Sequence, residues 1–280
     1  MSKTELLVDL LKAVCYTIQV IKNNNFLYLI SERKLMRYPK MIIFDYGHTL
    51  LYEPGWDSVR GAAELLKYAT KNPNSCTLED VRNGAELIFG KHIERIRRIG
   101  YDICGQIGNK VLYEYLGIEF SLTPLEMEII FLTSACRGAV MPGADKMLDY
   151  INGNGIRSAV ISNLLWSSDA LTERLNRLLP NNQFEFVMTS SDYLMQKPNR
   201  ILFDIALQKS GINANEIWYC GDNPQADVEG SAQVGIYPVW YDNDTEKDNK
   251  DCSNVLIPQC EHLHIHEWHE MIDLLERIKP

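Results

Sequence analysis

The chain has 280 residues, 46% of them hydrophobic and 23% charged, and a formal net charge of −9. That length holds one large domain or a domain with a sizeable insertion, the composition is ordinary for a globular protein, and the acidic balance argues against nucleic acid as a partner. Seven scattered cysteines with no Cys-x-x-Cys pair suit a reducing cytoplasm better than a disulfide framework or a zinc site.

Residues 1–40 form an N-terminal extension. Leu6, Leu7, Leu10, Leu11, Val14, Ile18 and Ile21 share one helical face, which predicts an amphipathic helix over Thr4 to Lys22, broken by Asn23-Asn24-Asn25. That helix either docks on the domain or a partner, or precedes the native start, for which Met36 and Met41 would serve. Glu5 and Asp9 interrupt any signal-peptide core, and no apolar run reaches the roughly 20 residues of a membrane helix. The expectation is a soluble, cytoplasmic protein with no membrane partner.

Met41-Ile-Ile-Phe44 follows, four apolar residues typical of a parallel strand buried on both faces. Asp45 closes it, with Gly47 and Thr49 just beyond, where open α/β sheets bind ligands. An Asp in that place is also an ordinary cap or turn residue. From Trp56 to Gly138 the pattern is helical: one helix between Val59 and Tyr68, a long one capped by Thr77 and running through Val81, Ile88 and Ile96, a third from Ile107 to Leu116 stopped by Gly117, and a fourth opened by Thr123-Pro124-Leu125-Glu126. The block is expected to be all-helical.

After Pro142-Gly143, strands and helices alternate. Strands are predicted at Ile156 to Ser162, Glu185 to Thr189, Glu216 to Cys220 and Ile236 to Tyr241, with helices to about Ile151, from Ser167 to Leu179 and from Arg200 to Ser210. Alternation of this kind implies right-handed crossovers and a parallel sheet. Asp242 to Asp251 reads as an exposed loop, His262 to Trp268 as a strand, and Met271, Leu274, Leu275 and Ile278 as one face of a closing helix. His262, His264 and His266 would share a strand face, more simply as surface residues of an edge strand than as metal ligands. Arg95, Arg97 and Arg98 read as a solvated helix face. The organisation is thus an extension over 1–40, an α/β core over 41–55 and 139–280, and a helical insertion over 56–138.

Three more sites lie at strand ends or in the loops that follow. Ser162-Asn163 offers a hydroxyl and an amide that hold phosphate oxygens without adding charge, although such pairs occur in plain turns. Lys197-Pro198 offers a point positive charge, or a solvated loop lysine. Gly221-Asp222-Asn223-Pro224-Gln225-Ala226-Asp227 places two carboxylates five apart, which suits Mg²⁺, unless Asp227 serves only the following helix's dipole.

In this order, around a cap-sized insertion, these segments resemble the motifs of the haloacid dehalogenase-like hydrolase superfamily over about Met41 to Tyr241. The resemblance implies a Rossmann-like doubly wound core with an inserted cap that closes over the site. It further implies a Mg²⁺-dependent phosphatase acting on a small phosphorylated metabolite. Asp45 would be the nucleophile that becomes an aspartyl-phosphate, and Thr49, Ser162 and Asn163 would bind the phosphate. Lys197 would offset charge, while Asp45, the backbone carbonyl of Gly47 and Asp222 would hold the metal, with Asp227 in support. The family's phosphatases read Asp-x-Asp-x-Thr, and Gly47 stands where their second Asp acts as general acid/base. A non-catalytic binding or regulatory protein, and a dehalogenase or phosphonate-cleaving hydrolase, are the alternatives. Tyr52, Trp56 and Trp166 are candidate pocket residues.

Overall fold

The structure, a computed structural model, describes residues 36–243 and 257–280. The expected N-terminal helix and most of the loop after Asp242 lie outside the described residues. Residues Pro39–Leu275 make one compact unit; the remaining described residues are 36–38 and 276–280. In chain order the strands are β1 Met41–Phe44, β2 Leu51–Tyr52, β3 Ala69–Lys71, β4 Glu119–Phe120, β5 Ala139–Val140, β6 Arg157–Ser162, β7 Phe184–Thr189, β8 Ile217–Gly221, β9 Tyr237–Tyr241 and β10 Leu263–Ile265.

Six of them form one sheet in the order β10-β9-β8-β1-β6-β7, with every neighbouring pair parallel. The chain enters at β1, winds out through β6 and β7, then returns to β8 and continues the other way. This is a Rossmann-like, doubly wound α/β sheet, and the strand order reverses around β1, where such folds place their ligands. All four β1 residues are fully buried, as expected for a strand covered on both faces. Met41 and Ile43 pack with Ile161, Met188, Phe203 and Tyr219 on one side. On the other, Phe44 meets the edge of Trp268 at 5.8 Å, in the closing helix Trp268–Ile278.

The insertion leaves the core through β2 and returns through β5, which pair antiparallel, Leu51 opposite Val140. It carries helices Ser58–Leu66, Leu78–Ile88, Gly90–Arg98, Gly105–Leu116 and Pro124–Ala135, around a core of its own built on Leu65, Val81, Leu112, Tyr113, Leu116 and Ile118. Thr77 with Asp80 and Thr123 with Glu126 form complete capping boxes, and Gly117 ends its helix in the left-handed region at φ 70°. Gly61 is needed for close approach: a Cβ there would lie 3.0 Å from the carbonyl oxygen of Phe131.

The insertion is not all-helical. Ala69–Lys71 pairs with Glu119–Phe120 as a two-stranded ribbon, because Pro73 biases the chain before it away from helix. The long predicted helix is two helices, broken at Phe89 (φ −107°) ahead of Gly90, a weak helix former. The last strand is also shorter than expected, Leu263–Ile265. Among the described residues no helix is long and apolar enough to cross a membrane.

Candidate active site

β1 delivers Asp45 between β6 and β8, and its backbone N–H still donates to Cys220 O at 2.8 Å, extending the ladder by one residue. The chain then folds back tightly. Leu50 and Leu51 both donate to Tyr46 O at 3.0 Å, and His48 donates to Leu51 O at 2.8 Å. His48 sits at φ 51° within this turn, a conformation uncommon for a residue other than glycine. Thr49 is fully buried by the turn, and among the described residues its hydroxyl has no hydrogen-bond partner.

Lys197 is the hub. Its ammonium donates to Asp45 Oδ1 at 2.6 Å, Asp227 Oδ1 at 2.6 Å, Tyr219 Oη at 2.8 Å and Ile161 O at 3.0 Å, four acceptors for three hydrogens. Its loop is fixed to the end of β6 by Asn163, whose amide accepts from Lys197 N at 2.8 Å and donates to Lys197 O at 3.0 Å. Asn163 thereby positions the lysine. Ser162, 3% exposed, ends β6 opposite Thr189.

Asp222 and Asp227 follow β8. Asn223 caps the next turn by accepting from Gln225 N and Ala226 N, and the segment Pro224–Glu229 is wound as a π-helix, which swings Asp227 back over the strand end. There its Oδ2 accepts from Asn223 N at 3.0 Å. Gly221 makes room, since a Cβ at that position would lie 2.3 Å from the Asp227 carboxyl. Asp45, Asp222 and Asp227 each bring a carboxylate oxygen within 4.8 Å of the others.

Burial pushes the Asp227 carboxyl up to about 7, with Lys197 pulling it down and Asp45 and Asp222 pushing it further up. Burial alone would lower Lys197, but Asp227 and Asp45 outweigh it and hold the ammonium above its usual range. Burial and the same carboxylates raise the Tyr219 phenol well above its ordinary value, so it remains a donor, to Ile161 O at 2.9 Å. Three carboxylates around one lysine leave a deficit of positive charge. Hard oxygen donors in that arrangement fit Mg²⁺, with water completing its shell. Gly47 contributes no side chain; a Cβ there would meet only Asp45 Oδ2, at 4.0 Å.

A cavity of about 290 Å³ lies between the insertion and the core, lined by Tyr46, Glu53, Trp56, Leu132, Leu164, Trp166, Leu171 and Arg174. Trp56 and Trp166 were legible in the sequence as pocket residues, and Tyr52 is not among the lining residues. Arg174 was not legible. It is 4% exposed and donates to Leu132 O and Cys136 O at the end of helix Pro124–Ala135, while its Nε has no partner among the described residues. Two buried carboxylates also escaped the sequence. Glu128 accepts from Ser167 N at 3.0 Å, from Ser167 Oγ and from Gln106 Nε2 at 2.9 Å. Asp102 accepts from Arg97 and from Ser190 Oγ, so Arg97 is partly an ion-pair residue. Tyr219 was missed as well; a tyrosine within an apolar strand needs a hydroxyl partner, which was the available signal.

Residues 135–240 match the family model for haloacid dehalogenase-like hydrolase, a span holding Ser162, Lys197, Asp222 and Asp227 and beginning after Asp45. Ribulose-1,5-bisphosphate 5-phosphatase of Halopiger xanaduensis is 27% identical over 110 residues, 39% of this chain and 45% of that protein. Phosphoserine phosphatase of Thermus thermophilus is 28% identical over 128 residues, 46% of this chain and 51% of that protein. The chain thus spans about half the length of these curated relatives. The crystal structure of 2-haloacid dehalogenase from Pseudomonas syringae pv. Tomato covers 85% of this chain and 99% of its own, with a TM-score of 0.56 at 19% identity, a likeness of fold. Over these spans the chain is similar in sequence, and over most of its length similar in fold, to haloacid dehalogenase-like hydrolases.

Proposed function

We propose that the protein is a Mg²⁺-dependent phosphatase that hydrolyses a small phosphorylated metabolite through an aspartyl-phosphate on Asp45. The observation carrying this reading is the Asp45–Lys197–Asp227 contact set, with Asp222 completing three converging carboxylates. The names of the matched relatives, both phosphatases, point the same way.

Asp45 Oδ would attack phosphorus while the Lys197 ammonium, already fixed, balances the phosphoryl charge. Asp45, Asp222, Asp227 and the Gly47 carbonyl would hold Mg²⁺, which neutralises phosphate charge when bound. Ser162 and Asn163 would receive phosphate oxygens, together with the hydroxyl of Thr49, which has no partner among the described residues. Asn163 retains one amide hydrogen for this beyond its bonds to Lys197. The organic part of the substrate would enter the cavity flanked by Trp56 and Trp166, beneath the insertion acting as a cap that excludes water.

Gly47 limits the reaction. With no carboxylate there, nothing at that position protonates the leaving group or activates water, an aid typically worth about 10²–10⁴-fold. Acyl phosphates and other good leaving groups are therefore the favoured substrates. The test is phosphate release from a panel of acyl, aryl and alkyl phosphates. Release should require Mg²⁺, stop with EDTA and vanish in Asp45→Asn, with acyl phosphates fastest. No release from any of them would favour a binding protein, and dehalogenation indifferent to EDTA would favour the dehalogenase alternative.

A further inference from the structure

β9 and β10 close one edge of the sheet. They run parallel, His264 beside Trp240 and Ile265 beside Tyr241. Side chains alternate along a strand, so the even-numbered residues of both strands share a face. Tyr241 and Ile265 turn inward, where Tyr241 stacks on Trp268 at 4.3 Å. Trp240, Asp242, His262, His264 and His266 turn the other way.

On that face the rings are already oriented. His264 lies flat on Trp240, with centroids 4.2 Å apart and an interplanar angle of 14°, and its Nε2 is 3.2 Å from Asp242 Oδ2. His266 Nδ1 is 2.7 Å from the backbone oxygen of Asp242. A carbonyl only accepts, so Nδ1 carries the hydrogen, which in the neutral ring leaves Nε2 free for a metal; this is how the outer partner of a metal-bound histidine usually fixes its tautomer. One nitrogen from each of these two histidines and one Asp242 carboxylate oxygen lie within 4.8 Å of one another. His262 stands apart: its Nδ1 is engaged with Cys260 O at 2.8 Å, and its ring centroid is 6.1 Å from that of His264.

We propose that Asp242, His264 and His266 form a transition-metal site of the Zn²⁺ class, separate from the Asp45 carboxylates. Two imidazoles and one carboxylate favour Zn²⁺ over Mg²⁺, which prefers oxygen. Two ligands about 2.0–2.1 Å from a tetrahedral Zn²⁺ stand about 3.3 Å apart. The 3.2 Å between His264 Nε2 and Asp242 Oδ2 therefore accepts an ion in place of the hydrogen bond, with little movement and with water as fourth ligand. The ion would clip β10 to β9, so its binding would add to stability. The histidines alternate in the sequence, but the third ligand, Asp242, follows the end of the neighbouring strand, which is why spacing alone does not disclose the site.

The test uses tag-free protein in excess Mg²⁺, which keeps the Asp45 carboxylates occupied, titrated with Zn²⁺ by calorimetry. The result expected is a single Zn²⁺ site whose affinity falls more than about tenfold in each of His264→Ala, His266→Ala and Asp242→Asn, the size of loss seen for even an outer partner. His262→Ala and Asp45→Asn should retain it. Zn²⁺ should also raise the melting temperature of the wild type and not of the three variants. Absence of binding, or equal binding in those variants, overturns the proposal. Should a variant fail to fold, Co²⁺ added to the wild type decides: selective broadening of the His264 and His266 ring resonances supports the site, and broadening elsewhere or none refutes it.

Discussion

Lys197 holds two carboxylates of different kinds. Asp45, the nucleophile of the proposed reaction, is 7% exposed, whereas Asp227 is sealed at 1% and pushed up to about 7 by burial. A folded-state value above the roughly 3.9 of an unfolded aspartate means that the native state binds this proton more tightly. The stability it contributes is complete below about pH 4 and is lost as pH rises through about 7. In Mg²⁺-free buffer the wild type should therefore lose melting temperature across that window relative to Asp227→Asn, whose amide does not titrate. Melting curves of both proteins at successive pH values check this, and parallel curves would contradict it. Gly47 offers a second residue-scale test. Its φ lies outside the left-handed range and its Cβ direction is open apart from Asp45 Oδ2 at 4.0 Å, so Gly47→Asp should fold. It should accelerate hydrolysis of alkyl phosphates, the poor leaving groups, by up to about 10²–10⁴-fold, and of aryl phosphates less. A folded, Mg²⁺-binding variant with no gain in kcat on either would mean that the pocket does not suit ester hydrolysis.

At the scale of elements, the insertion is fastened to the core by buried carboxylates. Glu128, fully buried in helix Pro124–Ala135, satisfies both the backbone and the hydroxyl of Ser167 and also holds Gln106. Glu128→Ala leaves those donors without an acceptor and should cost about 3 kcal/mol, read as a lower urea midpoint at unchanged m-value. A loss below about 1 kcal/mol would show that water replaces the carboxylate at no cost. The same helix shows where sequence reading works and where it stops. Thr123, Pro124 and Glu126 announce its start through local chemistry alone, and the capping box is present as expected. Glu128 carries no local signal, because its partners lie 22 and 39 residues away. The break at Phe89 and the ribbon of β3 with β4 were not read from the sequence either: Gly90 and Pro73 weaken helix locally, but the pairing of the ribbon depends on how the insertion packs on itself. The parallel strands were legible because burial on both faces demands unbroken apolar runs.

At the scale of the molecule, the sheet order converts four separated sequence segments into one site. β1 lies between β6 and β8, so Asp45, Ser162 and Asp222 reach the same edge from strand ends scattered along the chain, and Lys197 reaches it from the loop beyond β7. The order of those segments made the site legible in the sequence; its wiring through Tyr219 and Asn163 was not, because only the folded backbone brings Ile161 O and Lys197 within reach. On the proposed mechanism, the missing acid/base at position 47 slows hydrolysis of the phosphorylated enzyme, because no carboxylate there activates the attacking water. Phosphorylated protein should therefore accumulate during turnover. Wild type and Asp45→Asn incubated with Mg²⁺ and an acyl phosphate, quenched in acid and digested, give the most direct reading by mass spectrometry. A phosphate adduct on the peptide carrying Asp45, present in the wild type and missing from the variant, is the result expected. Phosphate release by Asp45→Asn at the wild-type rate, with no adduct in either protein, would contradict it.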